Sequence, residues 1–105
     1  MICRLWRGWT TIENAGAYQR IVHNDVIPAI EGRKIPGFRH IDLMKRDLGD
    51  EVEFQTLMWF DSLEAIIAFM GGDYTRSHVP PQAREVLKRF DEHAAHFEVI
   101  DRRTQ

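Results

Sequence analysis

The stretch FRHIDLMKRDLGDEVEFQTLMWF, residues 38–60, carries the reading of the fold. It contains two runs of period two, the periodicity of a β-strand. In residues 38–46, Phe38, His40, Asp42 and Met44 alternate with Arg39, Ile41, Leu43 and Lys45. In residues 51–60, Val52, Phe54, Thr56, Met58 and Phe60 alternate with Gln55, Leu57 and Trp59. Asp47-Leu48-Gly49-Asp50 separates them as a turn, so the stretch reads as a strand–turn–strand hairpin.

Toward the N-terminus, residues 2–9 also alternate, with Cys3, Leu5 and Trp9 on one side and Ile2 and Trp6 on the other. Both sides are apolar, so neither is plainly meant for water. Thr10 stands three residues before Glu13, the spacing of a capping box, and predicts a helix start. Ala15, Tyr18, Val22 and Val26 form its apolar stripe, with Ile21 beside it. Pro28 must kink or end this helix, and Gly32 to Gly37 is a breaker cluster.

Beyond the hairpin, Asp61 and Ser62 can both cap a helix whose stripe is Leu63, Ile66, Ile67 and Met70, stopped by Gly71-Gly72. Residues 73–79 form a connector of no evident structure. Pro80-Pro81 opens a further helix with Ala83, Leu87 and Phe90 on its buried face. Residues 95–101 alternate around Phe97 and Val99 and read as a last strand. The order β-α-β-β-α-(α)-β predicts a single α+β domain over residues 1–105, a ferredoxin-like sandwich. Apolar residues on both strand faces require a cover for the second sheet face. A second copy in a two-fold homodimer is the economical one.

A chain of 105 residues buries roughly 60–70% of its unfolded surface, enough for a thin core. Net charge is −2, without the basic excess of a nucleic-acid binder. There is no apolar run of membrane-spanning length and no signal-peptide core at the N-terminus. The single Cys3 cannot form an internal disulfide, which points to a reducing cytoplasm. No G-x-G-x-x-G follows a strand, no phosphate-binding loop is present, and no His/Cys/Asp cluster has zinc spacing. No nicotinamide, flavin or metal cofactor is therefore predicted.

Several stretches together resemble the antibiotic biosynthesis monooxygenase family: Arg4-Leu-Trp-Arg-Gly-Trp-Thr, Glu53-Phe-Gln-Thr-Leu-Met-Trp-Phe-Asp-Ser-Leu-Glu-Ala, Gly72-Asp-Tyr, Val79-Pro-Pro, Arg89-Phe-Asp-Glu and His96-Phe-Glu-Val. The resemblance spans nearly the whole chain and implies a dimeric α+β barrel. It implies a cofactor-independent monooxygenase acting with O2 on a small aromatic or polyketide-like phenol. The alternative is a small-molecule or haem binding protein. The haem-degrading branch of the superfamily uses an Asn, a Trp and a His at places that fall near Trp6, at Phe69 and within a residue of His78. Only the His is kept, which argues against haem degradation but leaves haem ligation through His78 open.

Two histidines are candidate bases. His78 lies after two glycines and before Pro-Pro, in a segment suited to a flap, or is a solvent-exposed loop residue. His40 can serve if the Phe38/Met44 side faces a cavity, or sits at a dimer seam. Arg4 and Arg7 lie on opposite faces of the first strand; one can hold a phenolate, or each can pair with Glu53 or Glu98. Trp6, Trp59, Phe69 and Tyr74 offer flat walls for a small apolar or aromatic molecule, or ordinary packing. His23, His93 and His96 read as surface or structural residues.

Overall fold

The computed structural model describes all 105 residues. β1 (Ile2–Thr11) runs along the middle of an antiparallel sheet. β3 (Glu51–Phe60) pairs with one side of it, and β2 (Phe38–Asp47) lies outside β3. The other side of β1 receives β4 (Arg89–Phe90) and β5 (Ala95–Glu98). The helices are α1 (Ala15–Ile21), α2 (Ile27–Gly32), α3 (Leu63–Met70) and α4 (Pro81–Arg84). This is the ferredoxin-like α+β fold expected from the order of elements. No helix is long and apolar enough to cross a membrane.

Register decides which residues share a face. Trp6 opposes Thr56 and Gly8 opposes Phe54, so the even positions of β1 and β3 look the same way. They look toward the helices. Trp6, Tyr18, Val22, Val52 and Phe54 form one buried cluster; Ile30, Met58, Phe60, Ile66 and Phe69 form the other. Gly8 has no side chain for a packing reason: a Cβ there would stand 2.7 Å from the Trp6 ring. The odd positions face away from the helices. At one end of that outer face Trp9 is roofed by the guanidinium groups of Arg7 and Arg89, at 5.2 and 4.1 Å from its ring. Buried Glu53 and Glu51 pair there with Arg46 and with Lys88 and Arg89. At the other end lie Cys3, Leu5, Leu57, Trp59 and Phe97.

Five details depart from the sequence-based expectation. Thr10 does not cap α1, because β1 runs on to Thr11 and turns Thr10 into the core. The Asn14 N–H instead donates to Thr11 Oγ1 at 3.1 Å. Pro28 does not end the helical stretch: the interruption falls just upstream, as a π-helical turn over Val22–Val26, and α2 resumes with the proline in its first turn. A β-bulge at Arg39 shifts the register between Phe38 and His40. Phe38 therefore packs with Ile41 on the inner face, while His40 points outward. On α3 the buried stripe is Ala65, Ile66 and Phe69; Leu63 and Ile67 are exposed. Finally, the last helix stops at Arg84, and Phe90 enters the sheet opposite Gly8.

Thr10 carries a fully buried hydroxyl with no hydrogen-bond partner. An orphaned buried hydroxyl costs about 1–3 kcal/mol. Thr10→Val keeps the shape and removes the oxygen, so it is expected to raise the melting temperature by a few degrees in a thermal unfolding scan; a lower melting temperature contradicts this account.

Candidate functional site

Between the sheet and the α1–α2 layer lies a cavity of about 50 Å³, with eleven hydrophobic residues among the fifteen that line it. β1 contributes Arg4 and Trp6, α3 contributes Phe69, and the connector contributes His78. Tyr18, Val22, Ile30 and Met58 complete most of the apolar wall. The arrangement follows from local rules. Arg4 and Trp6 are even positions of β1 and face the helices. Phe69 lies one turn after Ala65 and Ile66 on the buried side of α3. Ser62 caps that helix, accepting the Ala65 N–H at 3.3 Å, and Gly71 ends it with φ +88°.

The connector is held by strand-like pairing with residues 91–94. The Ser77 N–H donates to the Glu92 carbonyl at 2.9 Å, and the Ala94 N–H to the Thr75 carbonyl at 2.6 Å. The Ser77 hydroxyl donates to the Asp91 carbonyl, which also accepts from Trp6 Nε1 at 2.8 Å. These contacts separate β4 from β5 and hold His78 at the cavity.

Arg4 is 3% exposed. Its Nη1 donates to the Tyr74 carbonyl at 2.5 Å and its Nη2 to the Arg76 carbonyl at 2.6 Å. Nη1 also lies 3.0 Å from His96 Nε2. A guanidinium can only donate, so Nε2 must be the unprotonated ring nitrogen and His96 the neutral tautomer. Burial lowers the Arg4 pKa to about 10. His78 packs on Phe69, ring centroids 5.4 Å apart. Its pKa is lowered, first by burial and then by the charges of Arg33 and Arg4; that of His96 is lowered by burial and by Arg4. Arg33 lies over the other approach to Phe69, 5.0 Å from its centroid, and donates to the Phe69 carbonyl at 2.8 Å. The site is thus apolar and cationic at one end, with His78, itself solvent-exposed, at its rim and His96 beside Arg4.

Of the residues singled out from the sequence, Arg4, Trp6, Phe69 and His78 line this one cavity. Tyr74 adjoins it, lending its carbonyl to Arg4 and stacking edge-on against His96 at 5.3 Å. His40, Arg7 and Trp59 are on the opposite face of the sheet. His40 is exposed and 3.3 Å from Asp42; Trp59 Nε1 donates to Asp42 at 3.1 Å; Arg7 pairs with Asp91 at 2.9 Å. Neither arginine pairs with Glu53 or Glu98. By sequence His96 reads as a surface or structural residue, yet the β1–β5 register places it directly opposite Arg4. The signal lay in the alternation of the last strand, which carries His96 on the same face as Arg4.

No protein-family model matches the chain, and no curated protein matches it. Solved structures do. The fold and site define a ferredoxin-like α+β domain with an apolar, cationic pocket under its helices. A Bacillus cereus protein that carries the name antibiotic biosynthesis monooxygenase superposes with TM-score 0.68 at 11% identity, over 100% of this chain and 96% of that one. MhuD from Mycobacterium tuberculosis, a haem degrader solved with two haems in its active site, gives TM-score 0.60 at 20% identity, over 99% and 100% of the two chains. A mutant of MhuD with two manganese protoporphyrin IX molecules per active site gives 0.65 at 19% identity, over the full length of both. The chain has the fold of these proteins.

Proposed function

We infer that the cavity binds a small aromatic molecule and that the protein is a cofactor-independent monooxygenase acting on an electron-rich phenol or enol. The carrying observation is that an imidazole, His78, and a buried guanidinium, Arg4, line the same apolar cavity. Oxidation without a cofactor needs a base to form the carbanion or phenolate that reduces O2, and a fixed positive charge to stabilise it. His78 is the base and Arg4 the counter-charge; Trp6 and Phe69 are the walls that orient the ring. In the conversion of a methylene to a carbonyl, one oxygen atom stays in the product and the other leaves as water. Admission of a ring requires the connector to move outward, since about 50 Å³ is far below the roughly 300–1,000 Å³ of pockets that hold drug-sized ligands.

Oxygen uptake with an anthrone as the phenolic probe tests this reading. His78→Ala is expected to lower kcat by ~100-fold, the usual contribution of a positioned base, with the circular dichroism spectrum unchanged. The acid limb of the pH–rate profile should fall below 6.5, because burial and two arginines hold the His78 pKa under its ordinary value. Undiminished uptake in His78→Ala, or a limb above pH 6.5, sinks this choice of base.

A porphyrin, like the smaller ring, can enter this cavity of about 50 Å³ only with the connector displaced. Haem titration tests it: an unshifted Soret band supports the oxygenase reading. A shift abolished by His78→Ala would replace the oxygenase reading with haem binding. The outer sheet face, where Leu5, Leu57 and Trp59 sit beside exposed Met44 and Phe97, is the seam of a homodimer. Closing two sheets over one another there gives the dimeric α+β barrel.

A further inference from the structure

Arg4 does more than a counter-charge to a transient intermediate requires. It is nearly fully buried, yet it belongs to none of the chain's ion pairs. The buried acids of the sheet, Glu51 and Glu53, all have cationic partners. Arg4 has only neutral acceptors: two carbonyls and one imidazole nitrogen. Burying a charge without a counter-charge is expensive, and a guanidinium does not escape the cost by losing its proton near neutral pH. Its Nε–H makes no hydrogen bond with the protein. The unmatched charge borders an apolar cavity, 5.9 Å from the face of Phe69.

The two carbonyls that occupy Arg4 both belong to the connector, at Tyr74 and Arg76. A carboxylate presented to the guanidinium forms two parallel, charge-assisted hydrogen bonds, each stronger than a bond to a neutral carbonyl. It can therefore displace those carbonyls, and the connector loses two of its anchors when it does. We propose that the cavity takes a flat organic acid bound as its anion, with Arg4 exchanging the Tyr74 and Arg76 carbonyls for the ligand's oxygens, so that binding and release of the connector are one event. This rests on reading the cavity as the ligand pocket and narrows its ligand from a phenol or enol to one that also carries a carboxylate. The hydrophobic lining selects the ring, and the single buried cation selects one negative charge.

The test compares 2-naphthoate with 2-naphthamide, its uncharged analogue of nearly equal shape, by isothermal titration calorimetry at pH 7.5. Naphthoate is expected to bind at least ~10-fold more tightly, the effect of a charge-assisted over a neutral contact. Hydrogen exchange at the amides of residues 75–77 is expected to quicken with naphthoate. Arg4→Gln should abolish the preference, and Arg4→Lys should keep part of it. Equal affinities for the two probes in the wild type overturn the proposal but leave the pocket reading standing. If neither probe binds, both fail. A naphthoate preference that survives in folded Arg4→Gln also overturns it; if that variant does not fold, the wild-type comparison decides alone.

Discussion

Phe54→Ala is expected to cost about 3–5 kcal/mol, the range for deleting a fully buried phenylalanine ring. Phe54 has no exposed surface, and its ring meets Tyr18 edge-on at 4.7 Å. It sits opposite Gly8 in the sheet, so the space that the ring vacates is bounded by backbone and by the Trp6 ring, which cannot collapse into it easily. Small domains have only about 5–15 kcal/mol in total. The variant should melt about 15 °C or more below the wild type, or fail to fold. Leu57→Ala, three residues along the same strand but on the outer face, is the control and should lose much less in the monomer. Thermal and urea unfolding check both. Equal losses for the two variants would mean that the core does not lie between sheet and helices.

The second large effect is expected at that outer face. Leu57 pairs directly with Leu5 at the middle of the β1–β3 ladder. In a homodimer closed over this face, Leu57→Arg places an unpaired charge in the centre of the seam. Central interface residues cost at least about 2 kcal/mol when disrupted, which is ~30-fold in dissociation constant. Light scattering behind size exclusion at micromolar concentration should give about 25 kDa for the wild type, twice the 12.3 kDa of one chain, and a monomer for the variant. Leu57 is only partly buried within one chain, so the variant monomer should keep its fold. A wild type of 12.3 kDa overturns the seam.

How much of this was legible in the sequence depended on which period the residues followed. The three long strands were legible because alternation survives any ambiguity about which side is buried. Which side faces the helices was not, because Cys3, Leu5 and Trp9 are as apolar as Ile2 and Trp6. The Asp91 that draws Arg7 outward comes from 84 positions away. His40 was misplaced relative to Phe38 by one bulge, a feature that period-two reading cannot register. The α3 stripe was ambiguous because Leu63, Ile66, Ile67, Phe69 and Met70 make that helix apolar nearly all round. Helix starts suffered from competition between levels: Thr10 has the capping-box spacing to Glu13, but the sheet register takes it into β1 opposite Val52. At the site, the resemblance set three family positions near Trp6, at Phe69 and near His78, without saying that these side chains share one cavity. The Arg4–His96 pairing needed the strand register, and the hold of Arg4 on the connector needed backbone positions that no motif encodes.

The bulge at Arg39 has a consequence for how copies of this chain meet. β2 is the outermost strand on its side of the sheet, and an unpaired strand edge invites any other extended chain to add to it. Here that edge bends at its start and carries Arg39, Lys45 and Arg46 along its length, so an incoming strand finds neither a flat ladder nor a neutral one. Growth by edge-to-edge stacking, the route to fibres, is thereby discouraged. The homodimer proposed above would instead associate through the sheet face, as a two-fold pair that closes on itself and stops.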